Sequence, residues 1–256
     1  MINKKLVPSL IFLFIFIQPV VSMAEHSGYR GKVLKFSGDV EVVNAEGEKR
    51  TIKKTDEPLN EMDTIVTKKD ARIVVQFDDG ALSVLDEKSR LRVEKTSWFS
   101  YLGGKIYFTF KKVFGEPRKV KTRAATIGIR GTTFIINESE DQSGESVALK
   151  EGLLQVESTG PEFEIHKKKE LDEFAQFKQQ QQQAKKAVKT EFEQYKQQTR
   201  KEFIVYRKQF TLRPNRVISL SGYRVDETAM TETDEADFTS FESEAEEMIK
   251  AFRAEK

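Results

Sequence analysis

Side-chain catalysis needs a nucleophile or a poised acid and base, and this sequence supplies few of either. It has no cysteine and only two histidines. His26 stands near the N-terminus and His166 runs into Lys167, Lys168 and Lys169, so the two imidazoles lie far apart in the chain. A nucleophilic triad or a zinc site is not expected from that supply. Asp78 and Asp79 have the look of paired carboxylates or calcium ligands. Gly80 follows them between two apolar runs, however, and that pattern reads as a hairpin turn. No cofactor and no metal are expected, and the chain reads as non-catalytic. A hydrolase would need a cleft where two carboxylates converge about 5 to 9 Å apart.

Binding chemistry is better represented. Trp98, Phe99 and Tyr101 precede Gly103 and Gly104, and aromatic side chains beside a flexible turn suit an anchor for a partner. They equally suit a plug for the end of a sheet. Lys111, Lys112, Arg118, Lys119, Lys121 and Arg123 form a basic run next in the chain. Lys119, Lys121 and Arg123 join the aromatic residues as candidate partner contacts. Arg130-Gly131-Thr132 sits in a strand pattern. There Gly131 would permit a bulge or a close strand approach, with Arg130 hydrogen-bonded to neighbouring carbonyls. The sharper reading makes Arg130 a contact for an anionic partner.

The N-terminus decides which partners such a surface could meet. Lys4 and Lys5 give a positive start, Leu10 to Ile17 is an uninterrupted apolar run, and small residues sit at Ser22 and Ala24. This is a signal peptide, with cleavage expected after Ala24. Its apolar run falls short of the roughly 20 residues that span a bilayer. No later segment is apolar enough to cross a membrane, so no anchor is expected after cleavage. Export to the periplasm or beyond removes nucleic acid as a partner. It leaves an acidic envelope protein, self-association, or an anionic polysaccharide such as peptidoglycan. The formal net charge of +2, from 43 basic and 41 acidic residues, names none of them.

The elements that must position these residues change character along the chain. From Tyr29 to about Val156, short alternating runs are broken by turn residues, as in Ala71 to Phe77, then Asp78-Asp79-Gly80, then Ala81 to Leu85. Ile106, Phe108 and Phe110 alternate with Tyr107, Thr109 and Lys111. Strands at this spacing predict an all-β sandwich, barrel or coiled sheet. From Leu171 the apolar residues fall three or four apart, at Phe174, Phe177, Ala184, Val188, Phe192, Tyr195, Phe203, Tyr206 and Phe210. That spacing predicts one amphipathic helix of about 60 Å ending before Pro214. Its bulky aromatics suit packing on a sheet or a partner better than a two-stranded coiled coil. Phe203, Tyr206 and Phe210 in its distal half are candidate contacts, because a helix that long outruns the β domain. Arg216 to Leu220 reads as a strand, and the acidic stretch Asp226 to Asp237 as disordered. A terminal helix is predicted from Phe241 to Phe252, capped by Thr239 or Ser240.

An ordered set of fragments runs through this β-rich stretch. Gly31-Lys32-Val33, Gly38-Asp39-Val40-Glu41-Val42 and Asp63-Thr64-Ile65-Val66-Thr67 come first, then Phe77-Asp78-Asp79-Gly80 and Ser89-Arg90-Leu91-Arg92-Val93. The most specific fragment is Ala125 to Phe134, which contains Arg130-Gly131-Thr132 and closes on Phe134. Gly152-Leu153-Leu154 follows it. With these fragments in this order, residues Gly31 to Val156 resemble the FecR domain, a periplasmic β-rich module. Met62 stands where the family usually carries glycine, and Ala81 where serine is common. The resemblance implies a mainly β, non-enzymatic fold whose signature residues Arg130, Gly131, Thr132 and Phe134 are structural. It also implies a platform for protein contacts, because the anti-sigma segment of the signalling members is replaced here by the export signal. The organisation expected is a signal peptide over 1–24, a FecR-like domain over 25–157, a loop and long amphipathic helix over 158–213, and an acidic end over 214–256. The function expected is an envelope scaffold or adaptor, the alternative being a binder of peptidoglycan or another anionic polysaccharide.

Overall fold

The computed structural model describes residues 28–78, 81–94, 98–111, 118–139, 143–168 and 202–254. The expected export signal, His26 and residues 171–201 of the expected helix lie outside the described residues. The strands, in chain order, begin with β1 Tyr29–Ser37, β2 Val40–Val43, β3 Lys49–Thr51, β4 Pro58–Asn60, β5 Thr64–Thr67, β6 Arg72–Phe77 and β7 Ala81–Leu85. They continue with β8 Arg90–Val93, β9 Trp98–Gly103, β10 Lys105–Phe110, β11 Arg118–Lys121, β12 Ala125–Ile129, β13 Thr133–Glu138 and β14 Glu145–Glu151. Last come β15 Leu154–Ser158, β16 Phe163–Lys168, β17 Glu202–Arg207, β18 Gln209–Leu212, β19 Arg216–Ser221 and β20 Arg224–Ala229, then the helices α1 Glu232–Glu244 and α2 Glu246–Ala254.

These strands make two sheets, as the alternation predicts. The larger has the order β17-β16-β20-β19-β14-β13-β10-β7-β6-β1-β4, and the smaller β18-β15-β12-β11-β9-β8-β5-β2-β3. Pairing is antiparallel except between β9 and β11 and between β16 and β20. In β2, β5, β8, β9, β12 and β15 buried and accessible positions alternate, so the smaller sheet has one face in the core and one in solvent. The larger sheet is different. β7 is buried at every position and β10 at all but Lys105, because both of its faces are covered.

Between the sheets lies one apolar core that includes Val33, Ile65, Phe77, Phe99, Phe108, Phe134 and Val156. Phe108 and Phe134, directly opposite on β10 and β13, stack at 5.1 Å between ring centroids. On the outer face of the larger sheet, Val74, Leu82, Val84, Tyr107 and Ile135 form a second cluster with Phe238, Phe241, Ala245 and Ile249 of the two helices. Each fully buried side chain of this size contributes roughly 1.5–3 kcal/mol relative to exposure. Burial is therefore what seats the helices.

Four expectations change on contact with this architecture. Residues 202–212 are strands, not the end of a helix: β17 pairs with β16, and β18 with β15. The chain leaves one sheet for the other at Lys208, and that one-residue break shifts the phase of an alternating pattern. Phe203 and Tyr206, three apart at opposite parity within β17, and Phe210, four on across the break, together mimic a helix. Second, the sheets do not stop at 157, since β19 pairs with β14 and extends the larger sheet. The strand expected over Arg216 to Leu220 is this β19. Third, the acidic stretch is ordered as β20 and α1. Its carboxylates meet cations of the sheet, with Arg216–Glu227 at 3.2 Å and Lys105–Asp237 at 2.9 Å, and farther along the helix Glu242 meets Lys150 at 2.7 Å. Fourth, the terminal helix starts earlier, at Glu232. Thr231 caps it, its hydroxyl accepting from the Asp234 N–H while the Asp234 carboxylate accepts from the Thr231 N–H.

Candidate functional site

Strand alternation sorts the aromatic cluster. On β9, Trp98, Ser100 and Leu102 face outward and Phe99, Tyr101 and Gly103 face inward. Trp98 is 37% exposed, whereas Phe99 and Tyr101 are buried. Phe99 packs 4.7 Å from Phe77, and the Tyr101 hydroxyl donates to the Gly104 carbonyl at 2.7 Å. These two rings therefore plug the sandwich and offer a partner no surface, which corrects the wider reading of the cluster. Burial, with Glu145 and Glu138 nearby, raises the Tyr101 phenol above its ordinary value.

The parallel pairing of β9 with β11 gathers the surviving candidates on the solvent face of the smaller sheet. Lys119 sits directly beside Trp98, its ammonium 4.7 Å from the ring centroid, and Lys121 sits beside Ser100. Ser100 in turn faces Arg92 on β8. Lys121 is exposed and makes no ion pair among the described residues. Arg123 follows the strand and reaches Glu138 at 3.5 Å. The other three candidates do not join them. Tyr206 is 61% exposed on the edge strand β17, Phe210 is buried against Phe163 at 5.6 Å, and Phe203 shares β17 with Tyr206.

The Arg130-Gly131-Thr132 fragment is the crossing from β12 in one sheet to β13 in the other. Gly131 takes a φ of 65°, Thr132 is buried, and Phe134 lies in the core. Arg130 departs from expectation: it is exposed and bonds no carbonyl among the described residues. A side chain on the outside of a turn has water as its nearest acceptor.

Sequence reasoning missed a cleft of about 360 Å³ at the end of the sandwich, lined by Arg92, Ser100, Lys121, Arg123, Glu138 and Glu145 among others. Glu145 begins β14 in the inward phase of Val147 and Leu149, and that shared parity was the legible signal. Burial holds its carboxyl above the usual carboxylate range. Hydrogen bonds from Thr122, the charge of Arg123 and the Arg123 and Ala124 backbone pull the other way. One of its oxygens is buried without a hydrogen-bond partner among the described residues. The other carboxylates of the cleft are engaged. Glu94 accepts from the Ser100 hydroxyl at 2.6 Å, and Glu138 accepts from the Gly104 N–H at 3.3 Å. His166 lies elsewhere, on β16, 2.7 Å from Glu164. Among the described residues, no three acidic or histidine side chains converge to hold a metal ion, and no helix is long and apolar enough to cross a membrane.

No curated protein matches the chain. Two crystal structures of a proposed anti-sigma factor from Parabacteroides distasonis resemble its fold in outline. One is 12% identical with a TM-score of 0.45, covering 69% of this chain and 64% of its own. The other is 14% identical with a TM-score of 0.43, covering 65% of this chain and 59% of its own. The chain thus spans less than two thirds of either. The expected resemblance from Gly31 to Val156 is matched from Asp63, ahead of β5, into β15, and the part from Gly31 lies ahead of the match. Over residues 63–155, just over a third of its length, the chain is similar to the FecR protein family.

Proposed function

We propose that this is a non-catalytic, exported FecR-domain protein that acts as a scaffold or adaptor for protein contacts in the bacterial envelope. The observation that carries the reading is the position of Trp98. It stands half-exposed on the solvent face of the smaller sheet with the Lys119 ammonium over its ring, and Gly128 and Gln155 continue the same row across β12 and β15. Sugar sites hold their aromatics in grooves, whereas a tryptophan on an open, cationic face has the character of a protein-contact anchor. A partner with acidic groups around an apolar pocket would match it. Export through a signal peptide cleaved after Ala24 would place this face outside the cytoplasm, where N-terminal sequencing should read from Glu25.

A photo-crosslinking amino acid at Trp98, with the same group at the exposed edge residue Thr51 as control, tests the reading in intact cells. A discrete protein adduct from position 98 alone, unchanged by muramidase digestion, is expected. An adduct that dissolves on muramidase treatment would favour the polysaccharide alternative, and equal labelling from both positions would sink the proposed surface.

A further inference from the structure

The cleft beside that face has a charge layout that the protein-contact reading does not use. On one wall, Lys121 and Arg92 flank Ser100 in register, two strand spacings or about 10 Å apart at the backbone. Glu94 shares this wall, its carboxylate accepting from the Ser100 hydroxyl at 2.6 Å, but it forms no ion pair with either cation among the described residues; the Arg92 guanidinium meets the Thr64 hydroxyl at 3.4 Å. On the other wall stand Glu138 and Glu145. Glu138 is held by two long contacts, the Gly104 N–H at 3.3 Å and Arg123 at 3.5 Å. Glu145 is 7% exposed, and one of its oxygens lacks a donor among the described residues.

A buried carboxylate oxygen left without a donor is destabilising, so a group supplying N–H donors there is favoured. Two cations without carboxylate partners across the same space favour an anion. A ligand carrying only one charge would satisfy one wall and leave the other as it is. A ligand carrying both, a few ångströms apart, satisfies both walls and leaves the charge of the site unchanged. The Arg123–Glu138 contact is already long, and a ligand with both charges can replace it end for end. The cleft's volume of about 360 Å³ fits the low end of small-molecule sites.

We propose that this cleft binds a small zwitterion, a free α-amino acid or short peptide, with its carboxylate toward Lys121 and Arg92 and its ammonium toward Glu145 and Glu138. The inference is independent of the protein surface at Trp98, because binding is read on the chain alone.

Calorimetric titration of the full chain with alanine, glutamate and lysine, each beside its N-acetyl and its amide derivative, tests it. Glucuronate serves as the anion without an ammonium. At least one free amino acid should bind, with both of its derivatives and glucuronate weaker by about tenfold or more. Lys121→Gln and Glu145→Gln should each weaken that ligand by a similar factor. Arg92→Gln is the check if the Glu145 variant melts early, since its side chain lies toward the surface. Absence of binding by every free amino acid overturns the proposal. So does equal binding of an N-acetyl derivative, an amide or glucuronate, or wild-type affinity in the Lys121 and Arg92 variants.

Discussion

Phe241→Ala is the perturbation that weighs burial against charge in seating the helices. Phe241 is fully buried, stacks on Tyr107 at 5.8 Å with a 25° interplanar angle, and carries the Arg72 guanidinium 5.3 Å from its ring centroid. Truncating a buried phenylalanine costs about 3–5 kcal/mol, the spread reflecting how far the site can collapse. Here the upper end is not expected, because α1 can lift from the sheet and cap the loss at the docking free energy of the two helices. About 3 kcal/mol is the working figure. The ion pairs around the ring, Lys105–Asp237 and Lys150–Glu242 among them, are part-exposed and contribute about 0–1 kcal/mol each. Raising salt should therefore do far less than removing the ring. Urea denaturation followed at 222 nm reports the helices, while Trp98, the sole tryptophan of the chain, reports the sandwich by fluorescence. The variant should lower the helical midpoint at least as much as the tryptophan midpoint. A shift worth less than 1 kcal/mol on both probes, or a larger loss from salt than from the variant, would refute the claim that burial seats α1.

Gly131→Val should cost more than about 1 kcal/mol in thermal stability, because a β-branched residue is strained at a φ of 65°. Met62→Gly should raise stability by about 0.5 kcal/mol in urea, since Met62 pays the left-handed cost at a φ of 67° that glycine escapes, less the entropy glycine adds to the unfolded chain. Glu145→Gln should flatten the fall in stability on the alkaline side of the ordinary glutamate range. A carboxyl whose folded value is raised stabilises below its unfolded value and loses that contribution as pH rises through the folded one, and the neutral amide removes this loss. Phe210→Ser should lower the melting temperature whereas Tyr206→Ser should leave it within error, because the first ring is in the core and the second is in solvent.

The β-rich body was legible because its strands are half-buried. In β9, β12 and β15 the alternation of burial reproduces the alternation of residue type. The same rule, applied residue by residue, would have sent Phe99 and Tyr101 inward and left Trp98 alone outside. Grouping aromatics by proximity in sequence hid that parity. The helix reading failed at 202–212 for a local reason: Phe203 and Tyr206 hold opposite parity within β17, and Phe210 follows four on across the break at Lys208, so residues of two strands mimic a period of three to four. The acidic end was misread because its neutralising partners are remote. Asp237 finds Lys105, and Glu242 finds Lys150, at separations no local window covers. The cleft was illegible for the same reason, since it joins β8, β9 and the end of β11 to the start of β14 across both sheets.

The Arg130 fragment shows how one short signature can carry two kinds of residue. The chain crosses from the smaller sheet to the larger at Gly131, between β12 and β13, and crosses back at Gly152, between β14 and β15. The two crossings touch. A Cβ on Gly152, whose φ is 86°, would fall 2.4 Å from the Gly131 carbonyl oxygen and 2.5 Å from the Thr132 methyl. Both glycines are therefore needed by the same contact, one for its turn and the other for its lack of a side chain. Thr132 is buried between them, and its backbone carbonyl accepts the Phe110 N–H at 2.9 Å, tying the crossing to β10. Phe134 then enters the core against Phe108. Gly131, Thr132 and Phe134 thus follow from the need to pass between sheets twice at one place. Arg130 does not: its side chain is exposed and supports no part of the crossing, so whatever role it has lies outside the sandwich rather than within it.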